Sequence, residues 1–588
     1  MEKTESKPVN LIINDIPVAA KKGDSILDAA KQAGIYIPHL CYLNMHDLEI
    51  LNRPAACRVC MVEQVGGTKG RLVPACATFV FEGMVVYTNS MRSLSARRTI
   101  VELMLSDHPS ECLTCVKNLD CGLQKIAAEL GVTSIQYEGE TTKFPKDSSS
   151  YSMVKDPNKC ILCRRCEAIC ANVQTVGVLS GIGRGFDTTV NTAFDTPVID
   201  TQCTFCGQCV AVCPTGALTE VSNTRETWRA LTDPDKYVVV QTAPAIRAAL
   251  GEFFGLSAGV SATGKMVAAL KRLGFNQVLD TNFAADLTIM EESTEFIDRM
   301  ENGGKLPLVA SCCPSWIKFC ENHYPDLLDH PSSCKSPMGM FGAIAKSYLA
   351  EKLNIDPAKI VSVAIMPCLA KKFEAKREEL SNNGLPNVDI VLSTRELARM
   401  IKEAGIAFAQ LPDEKFDSLM GESSGAADIF GTSGGVLEAM LRSYYERATG
   451  KKLEKIEFES LRGFTGIGIK EAAVDISGKN VKVAVVHEFR NARKLLDDIR
   501  AGKSEYHAIE IMACPGGCIA GGGQPYHNSS VEILDKRRQV LYAEDNNKTL
   551  RRSHENPEIL KLYEEYLGEP NGDKAHELLH THYIKREI

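Results

Sequence analysis

Residues 160–170 read CILCRRCEAIC and residues 203–214 read CTFCGQCVAVCP. Both follow C-x2-C-x2-C-x3-C, and the second ends in proline. Three cysteines spaced by two residues wrap one iron–sulfur cubane, while the fourth reaches the neighbouring cluster. The expected sets are Cys160, Cys163, Cys166 and Cys213 for one 4Fe-4S cluster, and Cys203, Cys206, Cys209 and Cys170 for a second. Zinc is the competing metal, but zinc ribbons pair C-x2-C units rather than running four cysteines together.

Toward the N-terminus, Cys57 and Cys60 form a C-x2-C flanked at equal distance by Cys41 and Cys76. The first gap is longer than in the plant-type 2Fe-2S pattern. The context supports such a site nonetheless. Residues 9–20 (VNLIINDIPVAA) carry strand residues around an Asn14-Asp15 turn, and Gly23-Asp24-Ser25 precedes a capped amphipathic helix, ILDAAKQAGI, ended by Gly34. Strand, strand, helix and cysteine loop is the order of a β-grasp ferredoxin holding a 2Fe-2S cluster. Between the two modules lie His108, Cys112, Cys115 and Cys121. One histidine and three cysteines suit zinc or a 4Fe-4S cluster with one imidazole ligand; their place between two iron–sulfur modules favours the cluster.

The 588 residues include 22 cysteines, 67 Lys+Arg and 74 Asp+Glu, and 44% are hydrophobic. The length suggests roughly 3–5 domains. A net charge of −7 provides no basic field for nucleic acid or anionic lipid. The opening MEKTESKPVNLIINDIPVAA has no basic stretch, apolar run or cleavage site, and no run of ~18 apolar residues follows anywhere. The expectation is a cytoplasmic protein, with no membrane and no nucleic acid as partner, whose thiols serve metals rather than disulfides.

Fifteen cysteines fall between Cys41 and Cys213; then 98 residues have none. Within that gap SNTRETWRALTDPDK reads as a polar linker, with a boundary near 215–235. The expected organisation is a 2Fe-2S domain at 1–90, the one-histidine, three-cysteine 4Fe-4S module at 91–140, the two-cluster module at 141–225 and one large domain at 226–588. The last alternates apolar strand-like runs (YVVVQ, LPLVASC, VSVAIMPC, VDIVLS, VKVAVVHE, HAIEIMAC) with helical stretches such as IRAALGEFFG and VLEAMLRSYYERA. This predicts a two-lobed α/β domain with parallel sheets buried on both faces. Three of the runs end in a cysteine, where α/β folds place their sites. The closing segment reads as two short helices around Gly-Glu-Pro-Asn-Gly. GIGRG (181–185) lacks nucleotide-loop spacing and reads as a loop.

Three segments stand out: ASCCPSW (310–316), IMPCLAKK (365–372) and EIMACPGGCIAGGGQP (510–525). With them, and in the order of its N-terminal modules, the sequence resembles the iron-only (FeFe) hydrogenases, above all the catalytic subunits of the multi-subunit, NAD(P)-linked or electron-bifurcating type. The resemblance implies an H-cluster, a 4Fe-4S cubane joined to a di-iron subsite with CO, cyanide and azadithiolate. By the same likeness Cys313, Cys368, Cys514 and Cys518 hold the cubane, with Cys518 bridging to the di-iron unit. The glycines of GGCIAGGG leave room for backbone to approach a bulky cofactor without Cβ clashes. Lys371 matches the lysine that donates to a cyanide ligand, Met366 and Met512 match methionines beside the di-iron unit, and Pro244 matches a pocket-lining element. Cys312 matches the proton-transfer thiol, with Glu292, Ser332, Glu295 and Arg299 as the relay outward. The residue reading adds that Glu292, Glu295 and Arg299 share a helix face, and that adjacent strand cysteines point to opposite faces.

The implied reaction interconverts protons, electrons and H2. One 2Fe-2S and three accessory 4Fe-4S clusters lead electrons to flavin- and NAD(P)-binding or 2Fe-2S partner subunits, or to ferredoxin. Met338 stands where some relatives have glutamine. Cys320 and Cys334 fall outside the ligand patterns and read as buried free thiols. Two rivals share parts of this pattern. A respiratory iron–sulfur scaffold lacks the three later segments, and an iron–sulfur assembly factor has no need of Glu292, Cys312 and Lys371 together.

Overall fold

A computed structural model describes residues 8–43, 52, 54–66, 70–463, 468–476, 478–528 and 530–586. Residues 1–7, part of the segment read above for an export leader, lie outside them. The N-terminal unit is a five-stranded mixed sheet in the order Ile16–Ala20, Val9–Ile13, Met84–Tyr87, Met61–Val65 and Arg71–Pro74. Val9–Ile13 and Met84–Tyr87 run parallel; the other pairs are antiparallel. The first hairpin turns on Asn14 and Asp15, both left-handed at φ 52° and 64°, a conformation short polar side chains tolerate. Helix Ile26–Gln32 opens on a reciprocal Ser25–Asp28 capping box, as the sequence predicts. Its apolar face packs into one core with Leu11, Ile13, Val86 and the cysteines Cys41, Cys57, Cys60 and Cys76.

The two-cluster module is built on two short antiparallel ribbons, Met153–Lys155 with Leu218–Glu220 and Ser180–Ile182 with Thr189–Asn191. GIGRG therefore begins inside a strand and becomes a turn only after Ile182. The stretch expected as a linker is also ordered. Thr224–Thr232 is a helix whose Trp228 packs on the core of the large domain and donates through Nε1 to Glu403 at 2.9 Å. Its polar solvent face hides one buried stripe, which is why composition alone reads as linker.

The large domain holds two four-stranded sheets. The first is wholly parallel, in the order Gln277–Asp280, Tyr237–Thr242, Ile360–Met366 and Ile390–Ser393. The second orders Leu308–Val309, Ala508–Met512 and Lys479–His487 in parallel, then adds Lys470–Ile476 as an antiparallel edge. The expectation of parallel sheets thus needs correcting at one edge. That strand alternates half-buried and exposed residues, unlike the continuous apolar runs of its neighbours. The run LPLVASC contributes only Leu308–Val309. Cys312 and Cys313 lie beyond it, in chain leading into helix Pro314–His323, so their divergence is not a strand alternation. IRAALGEFFG forms a single turn, Pro244–Arg247, and a 3-10 segment, Leu250–Phe254. The closing segment gives Pro557–Leu562 and Asp573–Leu579, as read.

The glycine run after Cys518 packs against backbone. A Cβ on Gly521 would stand 2.3 Å from Pro367 O, one on Gly522 2.7 Å from Gly207 Cα, and one on Gly523 3.0 Å from Pro367 O. Gly522→Ala is expected to cost about 1–3 kcal/mol through overpacking, read as a lower thermal midpoint; an unchanged midpoint would contradict this packing.

Candidate active site

The two cysteine runs of the double module share one local design. Left-handed residues recur at matching positions, Leu162 and Arg164 in the first run, Phe205 and Gly207 in the second. These kinks turn backbone N–H groups toward sulfur: Leu162 N donates to Cys160 Sγ and Phe205 N to Cys203 Sγ, each at 3.4 Å. One cavity is lined by Cys160, Cys163, Cys166 and Cys213. A second is lined by Cys170, Cys203, Cys206 and Cys209. Each predicted set of four is brought together, the fourth cysteine crossing over from the other run.

In the N-terminal unit Cys41 lies within hydrogen-bonding reach of Cys57 and Cys76, and Cys60 of Cys76. Ala55 N donates to Cys76 Sγ at 3.1 Å, from a left-handed residue. In the next module His108 Nδ1 pairs with Pro109 O at 3.0 Å, while its Nε2 is buried with no partner among the described residues. Burial lowers the imidazole's pKa. A neutral ring with an orphaned nitrogen is the donor a metal needs. Burial, and to a lesser degree the charge of Cys115, push the Cys121 thiol up, and Cys112 is exposed. These donor sets fit iron–sulfur clusters.

In the large domain Cys313, Cys368, Cys514 and Cys518 converge. Burial, then the charges of Cys368, Cys313, Cys518 and Cys206, push the Cys514 thiol up. Burial, then Cys313, takes Cys368 to about 12. Cys206 of the second accessory set is thus a neighbour of this ring. Gln208 closes the gap, donating through Nε2 to Cys514 Sγ at 3.1 Å and to Ala520 O at 3.0 Å. Lys371 is buried, donates to Cys312 O at 3.2 Å and pairs with Glu374 at 2.6 Å. Burial works against its charge, yet Glu374 holds its pKa above the usual lysine value. Met366 and Met512 end the two central strands that precede Cys368 and Cys514, and Pro244 opens a buried turn.

Cys312 and Cys313 differ in their surroundings. Cys313, at the N-cap of Pro314–His323, receives backbone N–H groups of Ala513, Trp316 and Ser315. Burial is the larger effect and leaves the Cys313 thiol raised, while these N–H groups pull the other way, toward the thiolate. For Cys312, burial and the charges of Cys313, Glu510, Cys518 and Glu292 all push the thiol up. Glu292, Glu295 and Arg299 lie on helix Thr281–Asn302. Ser332 bonds Glu292 and donates through Oγ to Glu295 Oε2 at 2.8 Å. Arg299 closes the line at 2.6 Å from Glu295 Oε1. Burial, then Glu295 and Glu510, raise Glu292 to about 8.

The sequence does not single out Glu510, Glu374 or Gln208. Glu510 is fully buried on the strand before Cys514, accepts from Gly434 N at 2.6 Å and Leu437 N at 2.9 Å, and is pushed up to about 7 by burial. Its one signal is a glutamate inside an otherwise apolar run. Cys320 and Cys334 are buried as expected, but Cys334 Sγ also contacts Glu295 Oε2 at 3.9 Å. Met338 is buried, and its carbonyl accepts from Gln241 Nε2 at 3.1 Å.

Comparison with known proteins matches five family descriptions in order. The first three are a 2Fe-2S iron-sulfur cluster binding domain (residues 6–91), an NADH-ubiquinone oxidoreductase-G iron-sulfur binding region (97–136) and a 4Fe-4S dicluster domain (159–217). The C-terminal domain of the iron only hydrogenase large subunit (236–522) and an iron hydrogenase small subunit (531–586) follow. The NADP-reducing hydrogenase subunit HndD of Solidesulfovibrio fructosivorans is 55% identical, over 98% of this chain and 99% of its own. Iron hydrogenase 1 of Clostridium pasteurianum is 40% identical, over 98% and 100%. A solved structure of a variant of the [FeFe]-hydrogenase HydA1 from Chlamydomonas reinhardtii superposes with TM-score 0.56 at 43% identity, over 63% of this chain and all of its own.

Glu292 makes this site pH-sensitive in stability. A carboxyl near 4.5 unfolded and about 8 folded binds more protons in the folded state between those values, so its burial erodes stability as pH rises through that window. Glu292→Gln is expected to stabilise the chain by on the order of 2–3 kcal/mol near pH 9, the gain shrinking as pH falls toward 4.5. Thermal midpoints at several pH values test this; a gain independent of pH would contradict it.

Proposed function

This chain belongs to the iron-only hydrogenases, and on that premise we propose how its residues divide the work. It is an FeFe-hydrogenase catalytic subunit, an oxidoreductase acting on H2, with accessory iron–sulfur domains ahead of the catalytic domain. The observation that carries the residue-level reading is the pairing of Cys312 with Cys313. Burial raises both thiols, but Cys313 is approached by three backbone N–H groups and stands in the ring with Cys368, Cys514 and Cys518, whereas Cys312 also feels the charge of Glu292.

When bound, an H-cluster supplies heterolytic cleavage of H2 and its reversal. Cys313, Cys368, Cys514 and Cys518 hold its cubane, and Lys371 presents a buried cation where anionic ligands would sit. Met366, Met512 and Pro244 shape the apolar wall. Cys312 exchanges its Sγ proton with Glu292. Ser332 takes a proton from Glu292 as its own Oγ–H passes to Glu295, and Arg299 keeps Glu295 oriented near the surface. Glu292, raised toward neutrality, can hold or release a proton with little driving force either way, which suits a reversible relay.

Electrons follow the other side of the cysteine ring. Cys41, Cys57, Cys60 and Cys76 hold a 2Fe-2S cluster; His108 through Nε2, Cys112, Cys115 and Cys121 hold a 4Fe-4S cluster; the two cavity-lining sets hold two more. Cys206 and Gln208 place the last of these against Cys514. The likeness to an NADP-reducing hydrogenase subunit supports NAD(P)- and flavin-binding or 2Fe-2S partner subunits, with ferredoxin or a bifurcated pair as the other carriers. No helix among the described residues is long and apolar enough to cross a membrane; the reading places the protein in the cytoplasm.

Cys312→Ala is expected to lower turnover by about 10²–10⁴-fold while infrared bands of CO and cyanide persist in the matured protein. Unchanged turnover would remove Cys312 from the relay, and absence of those bands from correctly matured parent protein would overturn the cofactor reading. Affinity purification from the native host under anaerobic conditions is expected to bring down a flavin-containing subunit; recovery of the chain alone with ferredoxin would favour the other carrier.

A further inference from the structure

At the outer end of the proposed relay, Glu295 is shared with a second cluster whose other members, Cys334 and His580, proton transfer does not require. One ligand atom each of Glu295, Cys334 and His580 lies within 4.8 Å of the other two, and all three residues are buried. Cys334 Sγ is 3.9 Å from Glu295 Oε2. Residues 334 and 580 face each other across an antiparallel bridge, flanked by Lys335 N to Leu579 O and Thr581 N to Ser333 O, both 2.8 Å. The two side chains are therefore fixed opposite one another by backbone. His580 Nε2 lies 3.0 Å from Glu291 Oε2. Glu291 is itself held by Tyr563 OH and by Asn571 N at 2.8 Å. A carboxylate that accepts from one imidazole nitrogen fixes the tautomer and leaves the other nitrogen as a lone pair, the outer-shell arrangement of metal-binding histidines. Here the other nitrogen, Nδ1, meets only the Ser333 hydroxyl at 2.8 Å.

We propose that Glu295, Cys334 and His580 form a site for a soft divalent cation, zinc by ligand chemistry, and that its occupancy shuts the proton relay. One nitrogen, one sulfur and one carboxylate oxygen are zinc donors, and a fourth position is left for water. Zinc bonds of ~2.0–2.3 Å place tetrahedral ligand atoms roughly 3.3–3.7 Å apart, so a spacing of up to 4.8 Å has to contract by as much as about 1.5 Å and the Ser333 hydroxyl has to turn aside. The charges balance once the neighbours are counted: the ion displaces the Cys334 thiol proton, and the dication together with Arg299, which pairs with Glu295, is offset by the Cys334 thiolate and the carboxylates of Glu295 and Glu291. The second half of the proposal rests on reading Glu295 as the outer carboxylate of the relay, because an oxygen bound to zinc no longer accepts a proton from Ser332.

The test uses full-length protein carrying its iron–sulfur clusters. Parent, Cys334→Ala and His580→Gln chains are exposed anaerobically to zinc chloride, desalted, and their zinc and iron counted by elemental analysis. The parent is expected to retain one more zinc per chain than either variant at equal iron content. In matured protein, the zinc concentration that halves H2/D+ exchange, relative to each chain's own zinc-free rate, is expected to rise at least tenfold in both variants. Equal zinc in parent and variants overturns the site. Extra zinc in the parent with undiminished exchange leaves the site standing and removes Glu295 from the relay. Should Cys334→Ala fail to fold, His580→Gln carries the same comparison.

Discussion

The catalytic half is organised by one steric constraint, the close meeting of three stretches of backbone at glycines. Gly521 and Gly523 press on the Pro367 carbonyl, next to Cys368, while Gly522 presses on Gly207, next to Cys206. The loop bearing Cys518 is thus laid at once against the loop bearing Cys368 and against the accessory module. A single methyl group at Gly522 would push the accessory module away from the active-site cysteines. The Gln208 amide, one residue from Gly207, then reaches both Cys514 Sγ and Ala520 O. A long buried amide is kept where its donors are satisfied, and here satisfaction requires the two domains to stay in contact.

Burial of so many thiols and carboxylates in one region is costly unless each is told whether to carry charge. The fold does this with backbone N–H groups. Where they converge, at Cys313 and at the left-handed kinks that donate to Cys160 and Cys203, they offset part of the cost that burial puts on a thiolate. At Cys312, burial and crowded like charges all push the thiol up. Glu292 and Glu510 lie between these extremes, raised by burial to about 8 and about 7. In the proposed division, electron and proton routes part at neighbouring residues of the chain, Cys313 and Cys312.

Much of this is legible in the sequence because cluster ligation is a local property. Spacing within C-x2-C-x2-C-x3-C dictates which cysteines share a cavity, and the crossover of Cys213 and Cys170 follows from it. The β-grasp unit is equally readable, since Asn14-Asp15 and the Ser25–Asp28 cap carry their own geometry. What escapes is what depends on long-range packing. Helix Thr224–Thr232 is held by Trp228 against a surface over a hundred residues away, and looks polar in isolation. The edge strand Lys470–Ile476 lacks the continuous apolar run by which the others are recognised. Glu510 and Gln208 acquire meaning only from groups such as Gly434, Leu437 and Cys514 brought to them by the fold. The glycine run suggests room for a cofactor, yet its contacts here are with backbone.

The neighbours Glu291 and Glu292 show how one helix serves two networks. Consecutive helical residues point about 100° apart, so Glu292 joins Ser332 and the Cys312 side while Glu291 turns to Tyr563, Asn571 and His580. All three of those partners belong to the closing segment, which matches a hydrogenase small subunit within this single chain. The bridge between Cys334 and His580 then ties that segment to the strand-like stretch carrying Ser332 and Ser333, both of which bond Glu295. The outer end of the proposed relay is consequently built from two family units rather than one. Its geometry depends on the closing segment staying docked, and covalent continuity keeps that segment at high effective concentration where a separate subunit would have to bind.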